Sequence, residues 1–231
     1  MNKVHRIDFV DLGTREYFST WQFQENKLNE LLTLRNNPDY ETFGGWFYVV
    51  EHLPVFTLGK SGDENNLLLS SPALQKEGIQ FVHTNRGGDI TYHGPGQIVG
   101  YPILDLNKLG LVVKRYVYSI EETIIRVLDK FGLKGERLEG ATGVWLDAKD
   151  PKRARKICAI GIRVSHGISM HGFAFNINTD LKYFSYIHPC GFRDKGVTSL
   201  QQELKSPQDM EAIKKMIYEE FIRLISYRTE V

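Results

Sequence analysis

The sequence contains only two cysteines, Cys158 and Cys190, among its 231 residues. Two cysteines are too few for the disulfide framework of a small secreted domain, and too few for a zinc site built from protein thiolates alone. Neither cysteine belongs to a C-x-x-C pair. A lone cysteine in a reducing compartment is most often a small buried hydrophobe. A catalytic thiolate therefore needs neighbours that would generate it.

Long apolar runs and an excess of charge of either sign are also missing. No apolar stretch approaches the ~20 residues that span a bilayer. The first residues, Met1 to Arg6, lack the apolar core of a secretion signal. Twenty-nine Lys and Arg against 28 Asp and Glu leave a net charge of +1, which provides no global field for binding nucleic acid. We therefore expect a cytoplasmic protein that binds neither nucleic acid nor membrane.

The chain does contain the composition of an ordinary globular domain, with 42% hydrophobic and 25% charged residues. No Pro-, Ser- or Gly-rich linker divides it. Periodic apolar positions predict helices over residues 25–36 and 114–131. A third helix is predicted near the C-terminus, with Ser206 as its N-cap and Pro207 at its first helical position.

Short runs rich in Val, Ile and aromatic residues, most of them bracketed by Gly, Pro or Asp, are predicted to be strands. They are residues 46–50, 97–104, 144–146, 157–164 and 172–177. Strands that alternate irregularly with three helices favour an α+β fold, a mixed α/β sheet with flanking helices, over a regular βαβ alternation. We therefore predict a single α+β domain over residues 1–231.

Common nucleotide and metal motifs fail on spacing. Gly59-Lys60-Ser61 resembles the end of a phosphate loop, but the residue five positions before Gly59 is Pro54 instead of glycine. The glycines of residues 94–100 are spaced one residue too far apart for the dinucleotide fingerprint. His166 and His171 are five residues apart, which suits neither one strand face nor one helix face. We expect no metal site.

Residues 86–97, with the sequence RGGDITYHGPGQ, form a dense polar and glycine-rich segment. Its glycines allow the backbone to approach a ligand closely and to expose N–H groups. Arg86, Thr91, Tyr92 and His93 supply further donors in the same segment. An ordinary hairpin with positive-φ turns would explain the glycines equally well. Composition alone leaves both interpretations open.

Two further segments carry a lysine and a turn cysteine. Lys156 immediately precedes an apolar run, and Cys190 lies between Pro189 and Gly191, where it is poorly placed to belong to a core. A thiol in such a turn needs a nearby cation or base to become a nucleophile. The candidates for that neighbour are Lys156, His171, His93 and His188, and the residues alone do not choose among them.

Taken together, these segments resemble the octanoyltransferases of lipoate biosynthesis, which are relatives of the biotin and lipoate protein ligases. The resemblance rests on RGGDITYHGPGQ at 86–97, KICAIG at 156–161, HGFAFN at 171–176 and PCG at 189–191. Shorter pieces agree, namely EHLPVFTLGK at 51–60, GVWL at 143–146 and VTSL at 197–200. The resemblance implies the biotin/lipoate protein ligase-like catalytic fold.

The resemblance also implies a reaction. An octanoyl group, or a lipoyl group, is transferred from acyl carrier protein to a lysine of lipoyl domains, in 2-oxoacid dehydrogenases and in the glycine cleavage H protein. Cys190 would be the acyl-accepting nucleophile, Lys156 would lower its pKa, and no cofactor would be needed. The family's substrate-binding positions correspond here to Arg86, Gly87, Gly88, Asp89, Ile90, Thr91, Tyr92, His93, Ala159, Ile160, Gly161, Gly172, Phe173 and Ala174.

Two alternatives fit the same resemblance. An ATP-dependent lipoate or biotin ligase activates its acid as an adenylate and needs no cysteine nucleophile, whereas this chain has both the PCG turn and the KICAIG segment. A non-catalytic protein that binds carrier or lipoyl domains would not need to retain both Cys190 and Lys156. The acyltransferase is the interpretation that uses all of these residues.

Two local features remain. Residues 147–155 form a locally basic loop, which could dock an acidic carrier protein, although a solvated loop is the simpler interpretation. Cys158 follows Lys156 by two residues, so strand alternation would point both side chains the same way. We nevertheless expect Cys158 to be a core residue, because no turn presents it.

Overall fold

The computed structural model describes residues 5–188 and 195–226. The strands are β1 (Arg6–Arg15), β2 (Phe43–His52), β3 (Val55–Leu58), β4 (Gln80–His83), β5 (Ile90–His93), β6 (Gln97–Leu104), β7 (Glu136–Leu138), β8 (Ala141–Leu146), β9 (Arg155–Ser165), β10 (Ile168–Asn176) and β11 (Gly196–Val197). The helices are α1 (Tyr17–Leu34), α2 (Ser71–Lys76), α3 (Val113–Asp129), α4 (Leu200–Leu204) and α5 (Met210–Ser226).

The strands form two sheets. The main sheet has the order β1-β2-β6-β10-β9-β8-β7, with β11 added alongside β9, and a smaller sheet has the order β4-β3-β5. Parallel pairs (β1 with β2, β3 with β4, β9 with β11) coexist with antiparallel ones. This mixed architecture with flanking helices confirms the predicted fold class.

Helices cover both faces of the main sheet. Along β2, Phe47 and Val49 join the core under α3 and α5, whereas Tyr48 and Val50 join the core under α1. This alternation is the period-two pattern of a strand that is buried on both faces. None of the helices within the described residues combines the length and apolar character that a membrane span requires.

The small sheet has one apolar face and one polar face. Phe56 and Tyr92 lie in a separate core with Leu74 of α2, whereas Thr57 and His93, on the other face, contact each other through Oγ1 and Nε2 at 3.3 Å. The polar face is turned toward the main sheet.

The turn at residues 86–89 joins the two sheets. The Gly87 N–H donates to the Ile162 carbonyl of β9 at 2.9 Å, and the Lys60 N–H donates to the Arg86 carbonyl at 2.9 Å. A Cβ at Gly161 would lie 2.8 Å from the Gly87 oxygen, so only glycine allows this approach. The gap between the sheets is therefore set by backbone contacts.

Most predicted elements are present. The strand predicted at 97–104 has the bounds of β6, and those predicted at 46–50, 144–146 and 157–164 are parts of longer strands. The strand predicted at 172–177 lies in β10 except for its last residue, because β10 ends at Asn176. The helix predicted at 25–36 is the second half of α1. That helix begins at Tyr17, because the Glu16 carboxylate caps it by accepting from the Phe18 and Ser19 N–H groups.

The prediction of Ser206 and Pro207 as the start of the last helix is wrong. Helix α5 begins at Met210, and the Asp209 carboxylate accepts from the Ala212 N–H at 3.1 Å. The Asn178 side chain holds the Gln208 backbone from both sides, since it accepts from the Gln208 N–H and donates to the Gln208 carbonyl, each at 2.9 Å. The Gln208 carbonyl thus accepts from Asn178, whereas in a helix that began at Pro207 it would accept from the Ala212 N–H.

Candidate active site

A cavity of about 370 Å³ lies between the two sheets, within the usual size range of ligand pockets. Strands β6, β9 and β10 of the main sheet form its floor. Thr91 and His93 of β5, together with the turn at residues 86–89, form the opposite wall. The cavity therefore lies where the sequence resemblance places substrate binding.

Small residues keep this floor open. Strands β9 and β10 pair Ala159 with Ala174 and Gly161 with Gly172. Between those pairs, Ile160 and Phe173 pack into the core on the other face of the sheet. At these two pairs the side chains that face the cavity are consequently no larger than a methyl group, and the two glycines expose backbone. Such a floor suits an unbranched apolar chain.

The cavity has an exposed end and a buried end. Ser61, Gly140 and Thr142 are exposed, and they form what we call the mouth. Tyr101 and His171 are 3% and 1% exposed and lie at the inner end. A ligand that enters at the mouth would extend inward along the small-residue floor.

A β-bulge on β9 decides where Lys156 points. Lys156 pairs with Trp145 and Cys158 pairs with Val144, which leaves Ile157 as the extra residue between them. Ile157 and Cys158 both lie in the core under α3 and α5. The bulge therefore breaks strict alternation and places Lys156 on the cavity face with Ala159. The expectation that Lys156 and Cys158 point the same way is wrong.

The Lys156 ammonium lies at the mouth. Its Nζ donates to the Thr142 carbonyl at 3.2 Å and lies 4.7 Å from the centre of the Trp145 ring, which is a cation–π distance. The residue is 9% exposed. A lysine in this place puts a positive charge at the entrance of an apolar slot.

Cys158 is a core residue, as expected from the sequence. Its side chain is fully buried, and burial raises the pKa of its thiol far above the ordinary value. The thiolate is the nucleophilic form of cysteine, so Cys158 has no nucleophilic role near neutral pH. Cys190 lies outside the described residues, and its assignment as the nucleophile stays a prediction.

Residues 86–97 do not form a hairpin. They are also more than a ligand-binding loop, because they include strand β5 and the first residue of β6. Strand β5 pairs with β3, whereas β6 pairs with β2 and β10, so the segment passes from one sheet to the other. The Arg86 guanidinium donates to the Thr57 hydroxyl and to the Thr57 and Asp89 carbonyls. The Asp89 carboxylate accepts from the Ile90 N–H at 2.7 Å. Both side chains shape the turn that borders the cavity.

The proposed substrate-binding residues do not all line the cavity. Gly87 and Tyr92 are not among its lining residues, since Gly87 bonds to β9 and Tyr92 stacks on Tyr183 at 4.5 Å in the small-sheet core. The lining residues from the predicted set are Arg86, Gly88, Asp89, Ile90, Thr91, His93, Ala159, Ile160, Gly161, Gly172, Phe173 and Ala174. Ile160 and Phe173 contribute mainly backbone, because their side chains belong to the core.

Several contacts of the lining residues carried no signal in the sequence. Tyr17 at the start of α1 stacks on His93 at 5.8 Å, and the Gln97 side-chain oxygen accepts from His93 Nδ1 at 2.8 Å. Next to them, His52 Nε2 lies 2.7 Å from the Tyr101 hydroxyl. The contacts of Tyr17 with His93 and of His52 with Tyr101 join residues that are distant in the chain, and no local pattern marks them.

His171 has a fixed tautomer and a strained backbone. Its φ of 56° lies in the left-handed region, which few residues other than glycine adopt. Asn85 Nδ2 donates to the Glu25 carboxylate, so Asn85 Oδ1 faces His171 Nε2 at 2.7 Å and that nitrogen carries the hydrogen. His171 Nδ1 has no hydrogen-bond partner among the described residues. An acceptor nitrogen therefore lies buried at the inner end of the cavity.

We expect the buried histidines to make the fold sensitive to acid. Burial lowers the pKa of His52 to about 4, and burial with the charges of Arg86 and Arg163 lowers that of His171 to about 3. In the unfolded chain these histidines bind protons as the pH falls through about 6.5, whereas in the folded chain they stay neutral at that pH. Their contribution to the free energy of unfolding is therefore fully present above pH 6.5 and declines below it. We expect a loss of about 2 kcal/mol per histidine between pH 7.5 and 5.

Urea unfolding of the wild type and of His52→Gln at pH 7.5 and 5 measures this effect. The variant should lose less of its unfolding free energy on acidification than the wild type. His83→Gln is the matched control, because the His83 side chain is 60% exposed. An equal pH dependence in all three proteins would contradict the prediction.

The basic loop at residues 147–155 is partly neutralised within the fold. Arg155 forms two hydrogen bonds of 2.7 Å to the Glu203 carboxylate, and Arg153 pairs with Asp147 at 3.1 Å. Lys149 and Lys152 are exposed. Docking of a carrier at this loop stays a prediction, and it now depends on those two lysines.

Comparisons with known proteins identify the family of the chain. Residues 16–222 match the family model described as "Lipoyl protein ligase A/B catalytic domain". The octanoyltransferase of Parabacteroides distasonis is 53% identical over 94% of this chain and 98% of its own length. That of Bacteroides thetaiotaomicron is 49% identical over 96% of both chains.

Solved structures share the fold at low sequence identity. A bipartite lipoate protein ligase of Thermoplasma acidophilum, solved in a study with its E2 lipoyl domain, has a TM-score of 0.68 at 14% identity over 95% of this chain and 84% of its own. A lipoate-protein ligase A bound with ATP has a TM-score of 0.65 at 13% identity, over 96% and 85% of the two chains. The sequence relatives give the more specific assignment. The chain belongs to the lipoyl protein ligase A/B catalytic domain family and, within it, to the octanoyltransferases.

Proposed function

We propose that this protein transfers an octanoyl group from octanoyl-acyl carrier protein to the acceptor lysine of lipoyl domains, with Cys190 carrying the group as a thioester between the two steps. Lipoyl groups would follow the same route. The observation that carries the proposal is a cavity with a floor of small residues and the Lys156 ammonium at its mouth. The floor would hold the acyl chain, and the mouth would hold the reacting carbonyl.

The proposed chemistry needs no nucleotide. The Cys190 thiolate attacks the thioester carbonyl of the donor, and the carrier's thiolate leaves and takes up a proton. The acceptor lysine then attacks the Cys190 thioester as a neutral amine, loses a proton and forms an amide, while the Cys190 thiolate leaves. The first step exchanges one thioester for another, and the second forms a far more stable amide.

Lys156 would act in both steps. Its ammonium would stabilise the Cys190 thiolate by charge, which lowers the pKa of the thiol. Once the thiolate is acylated, that stabilisation is no longer needed, and the lysine would release a proton and accept one from the attacking amine. One side chain at the mouth would thus serve first as a cation and then as a base.

The described residues on either side of Cys190 support its place at the mouth. Before it, the His188 N–H donates to the Asn66 carbonyl, and the Asn66 side chain donates to Asp89, which lines the cavity. After it, Val197 pairs with Lys156 and also lines the cavity. The described residues that precede and follow the segment with Cys190 therefore lie close to the border of the cavity.

We propose 2-oxoacid dehydrogenases and the glycine cleavage H protein as the carriers of the acceptor lipoyl domains, and the cytoplasm as the compartment. A reducing compartment agrees with a chain that has only two cysteines. Lys149 and Lys152 would contact the acidic carrier protein.

An ATP-free transfer assay tests the function. The protein is mixed with octanoyl-acyl carrier protein and a lipoyl domain, and the mass of the domain is measured. We expect octanoylation of the domain without ATP. Modification that requires octanoate and ATP would instead identify a ligase, and no modification under either condition would favour a binding protein.

A further inference from the structure

Three hydrogen bonds hold residues 141–143, of which Thr142 belongs to the mouth beside Lys156. Trp145 Nε1 donates to the Ala141 carbonyl at 2.9 Å. Lys156 Nζ donates to the Thr142 carbonyl at 3.2 Å, and the Gly143 N–H donates to Glu121 Oε1 at 3.1 Å. This short segment therefore connects helix α3 to the Lys156 side chain.

The last two bonds belong to one peptide group. The Thr142 carbonyl and the Gly143 N–H are the two polar ends of the same planar trans unit, and they point in opposite directions. Glu121 binds one end, and Lys156 binds the other. Fixing the direction of the N–H therefore fixes the direction of the carbonyl, and donation to a carboxylate also makes that carbonyl a stronger acceptor.

Glu121 is an unusual residue for its position on α3. It is 8% exposed, and its neighbour Ile120 lies in the core. A buried carboxylate is costly unless it is paired and hydrogen-bonded. Arg137 Nε supplies the pairing, because it donates to Glu121 Oε2 at 3.0 Å. The other oxygen remains directed at Gly143.

Gly143 allows this arrangement. Its φ is 126°, and a Cβ there would lie 2.5 Å from the Cys158 carbonyl oxygen. Strands β8 and β9 thus approach closely beside the bulge that turns Lys156 into the cavity. The peptide between Thr142 and Gly143 is held from both sides at the place where Lys156 enters the mouth.

We propose that Glu121 is a positioning residue for the transfer reaction. It would act through the peptide between Thr142 and Gly143, holding the carbonyl that orients the Lys156 ammonium. This inference rests on the proposed function, since it assigns Glu121 to the residue that activates Cys190. Glu121 itself would not contact the octanoyl group.

The test compares Glu121→Ala, Glu121→Gln and Glu122→Ala. Glutamine keeps an oxygen for the Gly143 N–H and removes the charge, whereas alanine removes both. Glu122→Ala is the matched control, because Glu122 accepts from the same Arg137 at 2.8 Å and bonds also to Arg126. Each variant is assayed for kcat and KM in ATP-free transfer. In a Cys158→Ala background, the pH dependence of Cys190 alkylation is followed as well.

We expect Glu121→Ala to lower kcat about tenfold with little change in KM, and to move the alkylation midpoint toward higher pH, because a displaced ammonium stabilises the thiolate less. Glu121→Gln should restore both values to nearly those of the wild type, and Glu122→Ala should not alter them. An alkylation midpoint is not moved by a loss of stability alone, so it separates positioning from folding.

Two results would overturn the inference. If Glu121→Gln is as impaired as Glu121→Ala, the negative charge of Glu121 supports the reaction and its hydrogen bond to the Gly143 N–H does not. If Glu121→Ala behaves like Glu122→Ala, Glu121 has no special role. Lys156→Ala is measured alongside, since an unmoved midpoint in that variant would remove the proposed role of Lys156 itself. If the alkylation midpoint moves in Lys156→Ala but does not move in Glu121→Ala, only the positioning role of Glu121 is overturned.

Discussion

Replacing Cys190 by alanine should abolish octanoyl transfer, with an expected loss of at least about 10³-fold in kcat, because the proposed mechanism has Cys190 carry the acyl chain between the two substrates. The fold should persist, since a cysteine between Pro189 and Gly191 contributes little to packing. The measurement is ATP-free transfer to a lipoyl domain, with thermal unfolding of the variant recorded in parallel.

Cys158→Ala is the control for this experiment. Its thiol is fully buried in the core, and burial raises its pKa, so the variant should retain transfer. Substantial activity in Cys190→Ala would show that the covalent route through Cys190 is wrong. Loss of activity in Cys158→Ala without loss of stability would mean that the thiol in the core has a role we do not assign to it.

Replacing Lys156 by alanine should lower kcat about 10²-fold or more, the usual size of an acid–base contribution. The same change should move the pH midpoint of Cys190 alkylation upward, because the ammonium no longer stabilises the thiolate. The alkylation is measured in a Cys158→Ala background, so that only one thiol is present.

Lys152→Ala is a matched control, since Lys152 lies on the exposed loop beside the same strand and does not line the cavity. It should leave the alkylation midpoint unchanged. A Lys156→Ala protein with normal turnover and an unmoved midpoint would exclude Lys156 from both of its assigned steps.

The sequence allowed the main elements to be predicted where apolar spacing was strong. Strand β6 was predicted with its correct bounds, because it is rich in Val, Ile and Tyr, and because Pro95 and Gly96 precede it and Asp105 follows it. The strands of the small sheet have four residues each, which is too short for a periodic signal. Strand β1 was missed because it is a largely exposed edge strand. That residues 1–231 form one domain stays a prediction.

The site could be predicted as a set of segments but not as a geometry. The glycine-rich segment and the residues around Lys156 and Gly172 do meet at one cavity. Strict alternation, however, places Lys156 on the same face as Cys158, and only the extra residue Ile157 reverses it. A bulge depends on pairing with a neighbouring strand, so one strand's sequence does not reveal it.

The same limit applies to the residues around Lys156 and His93. Glu121 lies on α3 beside a core residue, and its sequence neighbours indicate only a helix. Its bond to Gly143 joins two elements that are distant in the chain. Likewise, Tyr17 reaches His93 only because α1 packs over the main sheet. Such contacts are properties of the tertiary structure.

The most direct test of the covalent mechanism is the intact mass of the protein after brief mixing with octanoyl-acyl carrier protein in the absence of ATP and acceptor. We expect one octanoyl adduct that hydroxylamine removes, as it does a thioester, and that is absent from Cys190→Ala and present in Cys158→Ala. A protein that transfers octanoyl groups to a lipoyl domain but never acquires this adduct would contradict the proposed thioester intermediate.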